Sequence, residues 1–154
     1  MRLSDLLNES RVSTSLKATS KDEALAVLAS LLSTCRDTPD PNSIVRVLRD
    51  RESLASTGVG DEVAIPHGRL PGITRVVAAL ALAPDGVDFD SIDGRPVKIF
   101  VAILAPERCP GDQLRALARV SKLLRDRRVR GRLVECASVA DVMAVVADEE
   151  TTLP

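Results

Sequence analysis

The residue in this chain best placed to do chemistry is His67. It stands between Pro66 and Gly68, after an apolar alternation formed by Val63 and Ile65. Proline fixes φ and lacks an N–H, which suits a strand end, and glycine lets the chain turn sharply afterwards. The combination presents an imidazole at a strand terminus. Near pH 7 that ring is neutral, and its free nitrogen is a competent nucleophile. Gly58 and Gly60, two residues apart, admit a second tight loop close by. By residue type alone a single loop histidine is also an ordinary surface residue. Gly58-x-Gly60 lacks the third glycine of a dinucleotide fingerprint.

What the chain lacks narrows the chemistry. His67 is its one histidine, so His-rich metal sites and two-histidine mechanisms are excluded. No G-x-x-x-x-G-K-[ST] loop occurs, so ATP is not an obvious phosphoryl donor, and no G-x-S-x-G elbow points to a serine hydrolase. Cys35, Cys109 and Cys136 show no zinc spacing and read as free thiols in a reducing compartment. One well-presented histidine without a nucleotide motif or metal set fits a protein that carries a group, with no cofactor.

The elements that must position His67 follow from periodicity. The chain has 154 residues, 45% hydrophobic and 28% charged, with a net charge of −1. That is one soluble domain over residues 1–150, with 151–154 as a tail and fraying expected from Glu149. Val12, Thr14, Leu16 and Ala18 alternate as a half-buried strand. Ser20 and Glu23 form a capping box, so a helix starts there, buries Ala24, Leu25, Leu28, Leu31 and Leu32, and stops before Pro39. Asp40-Pro41 caps the next helix, with Ile44, Val45 and Leu48 inward. The apolar runs Val76 to Ala83 and Ile99 to Ala105 suit strands covered on both faces, with turns at Asp85-Gly86 and Asp93-Gly94. Leu114, Leu117, Ala118, Ser121 and Leu124 mark the buried stripe of another helix. A last helix follows Ser138 and buries Val139, Val142, Met143 and Val146. The expected fold class is α/β: a single-domain sandwich, a mixed sheet flanked by helices. The N-terminus has no signal-peptide run and no apolar stretch approaches the ~20 residues of a membrane span, so a cytoplasmic protein without membrane insertion is expected.

Around His67 the residues form a recognisable string. Arg51-Glu52, Ser56-Thr57-Gly58-x-Gly60 and Ala64-Ile65-Pro66-His67-Gly68 resemble the IIA components of the mannitol/fructose class of the bacterial phosphotransferase system. Within that class the chain looks most like the nitrogen-regulatory IIA proteins, with IIA subunits of fructose/mannitol-type transporters as the alternative. The resemblance implies that His67 is phosphorylated by the phosphohistidine of an HPr-type carrier. The group then passes to a IIB component, or its presence is signalled to a regulatory target. It also implies a role for Arg51 in stabilising charge, with Arg69 as a second candidate. Ser56, Thr57 and the backbone near Gly58 are candidates for binding phosphoryl oxygens. The family usually has a second histidine at the start of the helix after the last apolar run. Here that residue is Gln113, which keeps a donor and an acceptor but cannot take up a proton at neutral pH. Loss of efficient transfer would leave a non-catalytic binding module of the same fold.

The near-neutral total hides a split. Residues 115–132 hold eight basic side chains and one acidic, a charge of +7 against −8 for the remainder. This segment is either a solvated helix face or a docking surface for an acidic partner. Nucleic acid is not an expected partner, because the rest of the surface repels phosphate and aromatics are 1% of the chain.

Overall fold

A computed structural model describes residues 1–34 and 39–153. In chain order the elements are α1 (Leu3–Leu6), a 3-10 turn (Glu9–Arg11), β1 (Val12–Ser13), α2 (Lys21–Leu32), α3 (Pro41–Glu52), β2 (Gly58–Gly60), β3 (Val63–Ala64) and β4 (His67–Leu70). These are followed by β5 (Val77–Val87), β6 (Val97–Pro106), α4 (Pro110–Leu124), α5 (Arg127–Val134) and α6 (Val139–Glu150). The sheet is mixed, in the order β1-β5-β6-β3-β2, with β4 also pairing β6. The expected α/β architecture is the one observed.

The two apolar runs become the central antiparallel pair β5 and β6. Alternate side chains leave opposite faces of a strand, and both faces here are covered. Ala78, Leu80, Leu82, Val101 and Ile103 meet α1, α4, α5 and α6 on one side. Ala79, Ala81, Phe100, Ala102 and Leu104 meet α2 and α3 on the other. Continuous apolar sequence is what double burial requires. The caps read from the sequence hold: Ser20 accepts from the Glu23 N–H, Asp40 from the Ser43 N–H and Ser138 from the Asp141 N–H. Each stabilises its helix by about 1 kcal/mol.

Four expectations need correction. The strand from Val12 to Ala18 is a ladder only at Val12–Ser13, although the Leu16 N–H still reaches the Leu82 carbonyl (2.9 Å). Asp85-Gly86 is no turn between strands but an irregularity inside β5, where the register shifts between Leu82 and Val87. The buried stripe of α4 is Ala116, Val120, Leu123 and Leu124, not the one through Leu114, Ala118 and Ser121. Seating Val120 and Leu123 hides more apolar surface than seating Ala118 and Ser121, and Leu114 is left 69% exposed. Fraying from Glu149 does not occur, because Glu149 and Glu150 end α6 with buried carboxylates. Glu150 accepts the N–H groups of Leu3 (2.6 Å) and Ser4 (2.8 Å), tying the two ends of the chain together.

The same carboxylates dispose of much of the basic segment, which is two helices rather than one. Arg128 and Arg132 grip Glu149, Arg132 also reaches Asp148, Arg119 meets Glu150 and Arg115 pairs with Asp112. Arg130 donates to the carbonyls of Leu124 and Arg125. Four of the eight basic side chains are thus paired with carboxylates within the domain. Cys109 and Cys136 are free thiols, while Cys35 lies outside the described residues.

Candidate functional site

The site is built where the strand beside β6 breaks. β3 pairs in parallel with the start of β6, and β4 with its end. Between them Ile65-Pro66 interrupts the ladder, since proline brings no N–H to it. His67 is the first residue of β4, opposite Ile103, so the imidazole does stand at a strand terminus. Gly68 serves differently from expectation: it lies within β4 and makes no turn. A Cβ there would collide with Val47 Cγ1, so its bareness lets α3 pack directly against β4. That packing brings the C-terminal end of α3, with Arg51, alongside His67.

An open cleft of about 590 Å³ results, lined by Val47, Asp50, Arg51, Leu54, His67, Gly68, Arg69, Glu107 and Gln113. Of the residues singled out in the sequence, the fold therefore brings together His67, Arg51, Arg69 and Gln113. They arrive from β4, the end of α3 and the first turn of α4. Leu54, 80% exposed, and Leu114 beside Gln113 add apolar surface at this end of the molecule.

His67 is half-buried, and its Nδ1 lies 2.8 Å from the carbonyl oxygen of Ile65. A carbonyl only accepts, so Nδ1 carries the proton and donates, leaving the Nε2 lone pair free. Burial pushes the imidazole pKa below its ordinary value. The bond to Ile65 opposes this, Arg51 adds to the lowering and Glu52 works against it. The ring is thus a neutral nucleophile at pH 7. Arg51 Nη1 donates to the Ala55 carbonyl (3.0 Å). Gln113 lines the same cleft, and its Nε2 is buried without a hydrogen-bond partner among the described residues.

Ser56, Thr57 and Gly58 do not line this cleft. The Ser56 hydroxyl donates to the Phe89 carbonyl (2.8 Å) and accepts from the Gly58 N–H (3.0 Å). Thr57 is buried, and both its N–H and its hydroxyl donate to the Glu52 carboxylate. In this arrangement the Ser56 and Thr57 hydroxyls and the Thr57 and Gly58 N–H groups are all bonded within the protein. Sequence reading also passed over Glu52 itself and Glu107. The structure, not the spacing, shows that Glu52 faces into the domain.

Known proteins share the sequence pattern and the fold of this chain. Residues 5–149 match the family model described as the phosphoenolpyruvate-dependent sugar phosphotransferase system, EIIA 2. A nitrogen regulatory protein of Bradyrhizobium diazoefficiens is 35% identical over 147 residues, covering 96% of this chain and 95% of its own. The fructose-specific EIIABC component of Bacillus subtilis is 27% identical over 95% of this chain, which spans 23% of that longer protein. Among solved structures, nitrogen regulatory protein IIA-Ntr of Neisseria meningitidis superposes with a TM-score of 0.87 at 28% identity, covering 94% of this chain and 98% of that one. With a half-buried histidine, two arginines and a free amide donor in one cleft, and a family model spanning nearly its whole length, this chain belongs to the EIIA type-2 family of the phosphotransferase system.

Proposed function

We propose that His67 takes a phosphoryl group on Nε2 from the phosphohistidine of an HPr-type carrier. Its phosphorylation state then governs binding to a regulatory target of the nitrogen-regulatory kind. The observation that carries this is the bond from Nδ1–H to the Ile65 carbonyl, which leaves one ring nitrogen free and neutral. In the transfer the Nε2 lone pair forms a bond to phosphorus while the P–N bond of the donor breaks. The electron pair of that bond returns to the donor ring, which departs as neutral imidazole. The product ring on His67 is an imidazolium whose Nδ1–H still donates to Ile65, so no proton need move. Charge on the three phosphoryl oxygens would be met by Arg51 and Arg69 and by the Gln113 amide, since positioning and charge stabilisation are most of what such a transfer asks of a protein.

The regulatory reading is favoured by likeness to nitrogen regulatory proteins over nearly the full length of both partners. The fructose-specific relative supports the alternative, passage of the group to a IIB component. The first test is incubation with phosphoenolpyruvate, enzyme I and an HPr-type carrier, read by intact mass. One added, acid-labile phosphoryl group, lost in His67→Ala, is expected. An unmodified mass, or a phosphate that survives His67→Ala, refutes the reading. Recovery of a target by one form and not by both separates signalling from simple carriage.

A further inference from the structure

Arg51 can stabilise a transferring group only if its guanidinium is held in place, and an arginine at a helix end is ordinarily free to swing. The structure shows what holds it. Arg51 Nη1 donates to the carbonyl of Ala55, in the short loop between α3 and β2. That loop is itself clamped at its far end. Glu52, the last residue of α3 and 6% exposed, accepts the Thr57 N–H at 3.0 Å on both carboxylate oxygens, and the Thr57 hydroxyl at 2.5 Å. Lys21 Nζ, at the first turn of α2, completes the arrangement 3.0 Å from Glu52 Oε1. Lys21 also lies 5.0 Å above the Phe89 ring, which packs edge-on against Phe100 of the central strand β6.

A buried carboxylate is costly unless it is paired and fully hydrogen-bonded. Here it is both, and each partner belongs to a different element. The consequence is a chain of fixed contacts from the core, through Lys21, Glu52 and Thr57, to the Ala55 carbonyl and so to Arg51. We infer that Glu52 and Thr57 are positioning residues for phosphotransfer, a buried clamp whose purpose is to hold Arg51 against His67. This rests on the reading of His67 as the phosphoryl acceptor, and it assigns Thr57 to the clamp in place of the phosphoryl group. The hydroxyl of Thr57 is turned inward to Glu52, whose charge opposes the lowering of the His67 pKa.

The test is a double-mutant cycle between Thr57→Val and Arg51→Ala, with the rate of phosphoryl transfer from an HPr-type carrier as the readout. Valine keeps the shape of threonine and removes the hydroxyl. Thr57→Val should lower kcat about tenfold with KM nearly unchanged, a misplacement of the kind that costs ten- to a hundredfold. In the Arg51→Ala background it should cost nothing further. Thr57→Ser, which keeps the hydroxyl, should restore most of the rate. A second measurement needs no phosphoryl donor: 15N relaxation of the Arg51 side-chain Nε should report an ordered group in the wild type and a mobile one in Thr57→Val. It separates failure of the clamp from failure of the phosphocarrier reading. An Arg51 signal that stays ordered in Thr57→Val refutes the clamp whether or not His67 carries phosphate. Losses that add between the two substitutions refute it too, since a merely structural threonine would behave in that way.

Discussion

Replacing Gly68 by alanine sets two effects against each other, and the structure decides which prevails. Gly68 does not have a left-handed φ, so alanine can adopt its backbone without strain. Fewer unfolded conformations would then stabilise the protein by about 0.4–1 kcal/mol. Against this, the new Cβ would occupy the place of Val47 Cγ1 and sit 3.4 Å from Val47 Cβ. Val47 can escape only by leaving its preferred rotamer, which β-branched residues in helices hold about 90% of the time. Otherwise α3 must lift from β4. Overpacking of this kind costs about 1–3 kcal/mol, so the steric effect wins by about 1–2 kcal/mol. At 2–4 °C per kcal/mol for a domain of this size, the melting temperature should fall by about 2–8 °C. Lifting α3 by even ~1 Å also moves Arg51 from His67, so transfer should fall by ten- to a hundredfold. Val47→Ala in the same chain should recover most of the transfer, because it removes the colliding methyl group. Differential scanning calorimetry and a carrier-linked transfer assay read the two effects. A Gly68→Ala protein that melts higher than wild type and transfers normally would show that the close approach of α3 to β4 does not build the site.

Three further outcomes follow from the charges. Since burial lowers the His67 pKa, NMR titration should place its midpoint below the ordinary 6.5. The neutral ring is the form the fold prefers, so its contribution to stability is fully present above pH 6.5 and is lost as pH falls through the folded pKa; a midpoint at or above 6.5 contradicts this. Glu149, held by hydrogen bonds from Arg128 and Arg132, titrates at about 2 rather than at its ordinary 4.5. Its stabilisation is therefore complete above pH 4.5 and lost as pH falls toward 2. Glu149→Gln should lower the melting temperature at pH 7 by up to about 4 °C, the range for an ion pair with exposed arginines, and lose that difference near pH 2. Gln113→Ala removes a buried N–H that has no partner among the described residues, so no hydrogen bond is lost from the fold while transfer falls about tenfold. Equal transfer in Gln113→Ala would show that the amide does not touch the phosphoryl group.

Local physics is what the sequence disclosed by itself. Helix caps at Ser20, Asp40 and Ser138 act within three residues, so they are legible without a fold. The doubly covered strands β5 and β6 announced themselves as unbroken apolar runs, and from them the α/β class followed. His67 was marked by its own neighbours, Pro66 and Gly68. What stayed hidden depends on residues far apart in the chain. The face of α4 that points inward was ambiguous between two stripes sharing Leu124, and only the shape of the sheet selected Ala116, Val120 and Leu123. The basic segment looked like a free surface until Glu149 and Glu150 arrived from α6 to pair with it. Thr57 read as a ligand for phosphate because a hydroxyl near glycine suits that work; in the fold it turns to Glu52. A sequence states which groups can donate or accept, but a hydrogen bond is satisfied by whichever partner the fold brings within 3 Å. Residue type thus determined that His67 could carry a phosphoryl group. Tertiary packing decided that Nε2 is the free nitrogen, that Arg51 lines the same cleft and that the Thr57 hydroxyl turns to Glu52.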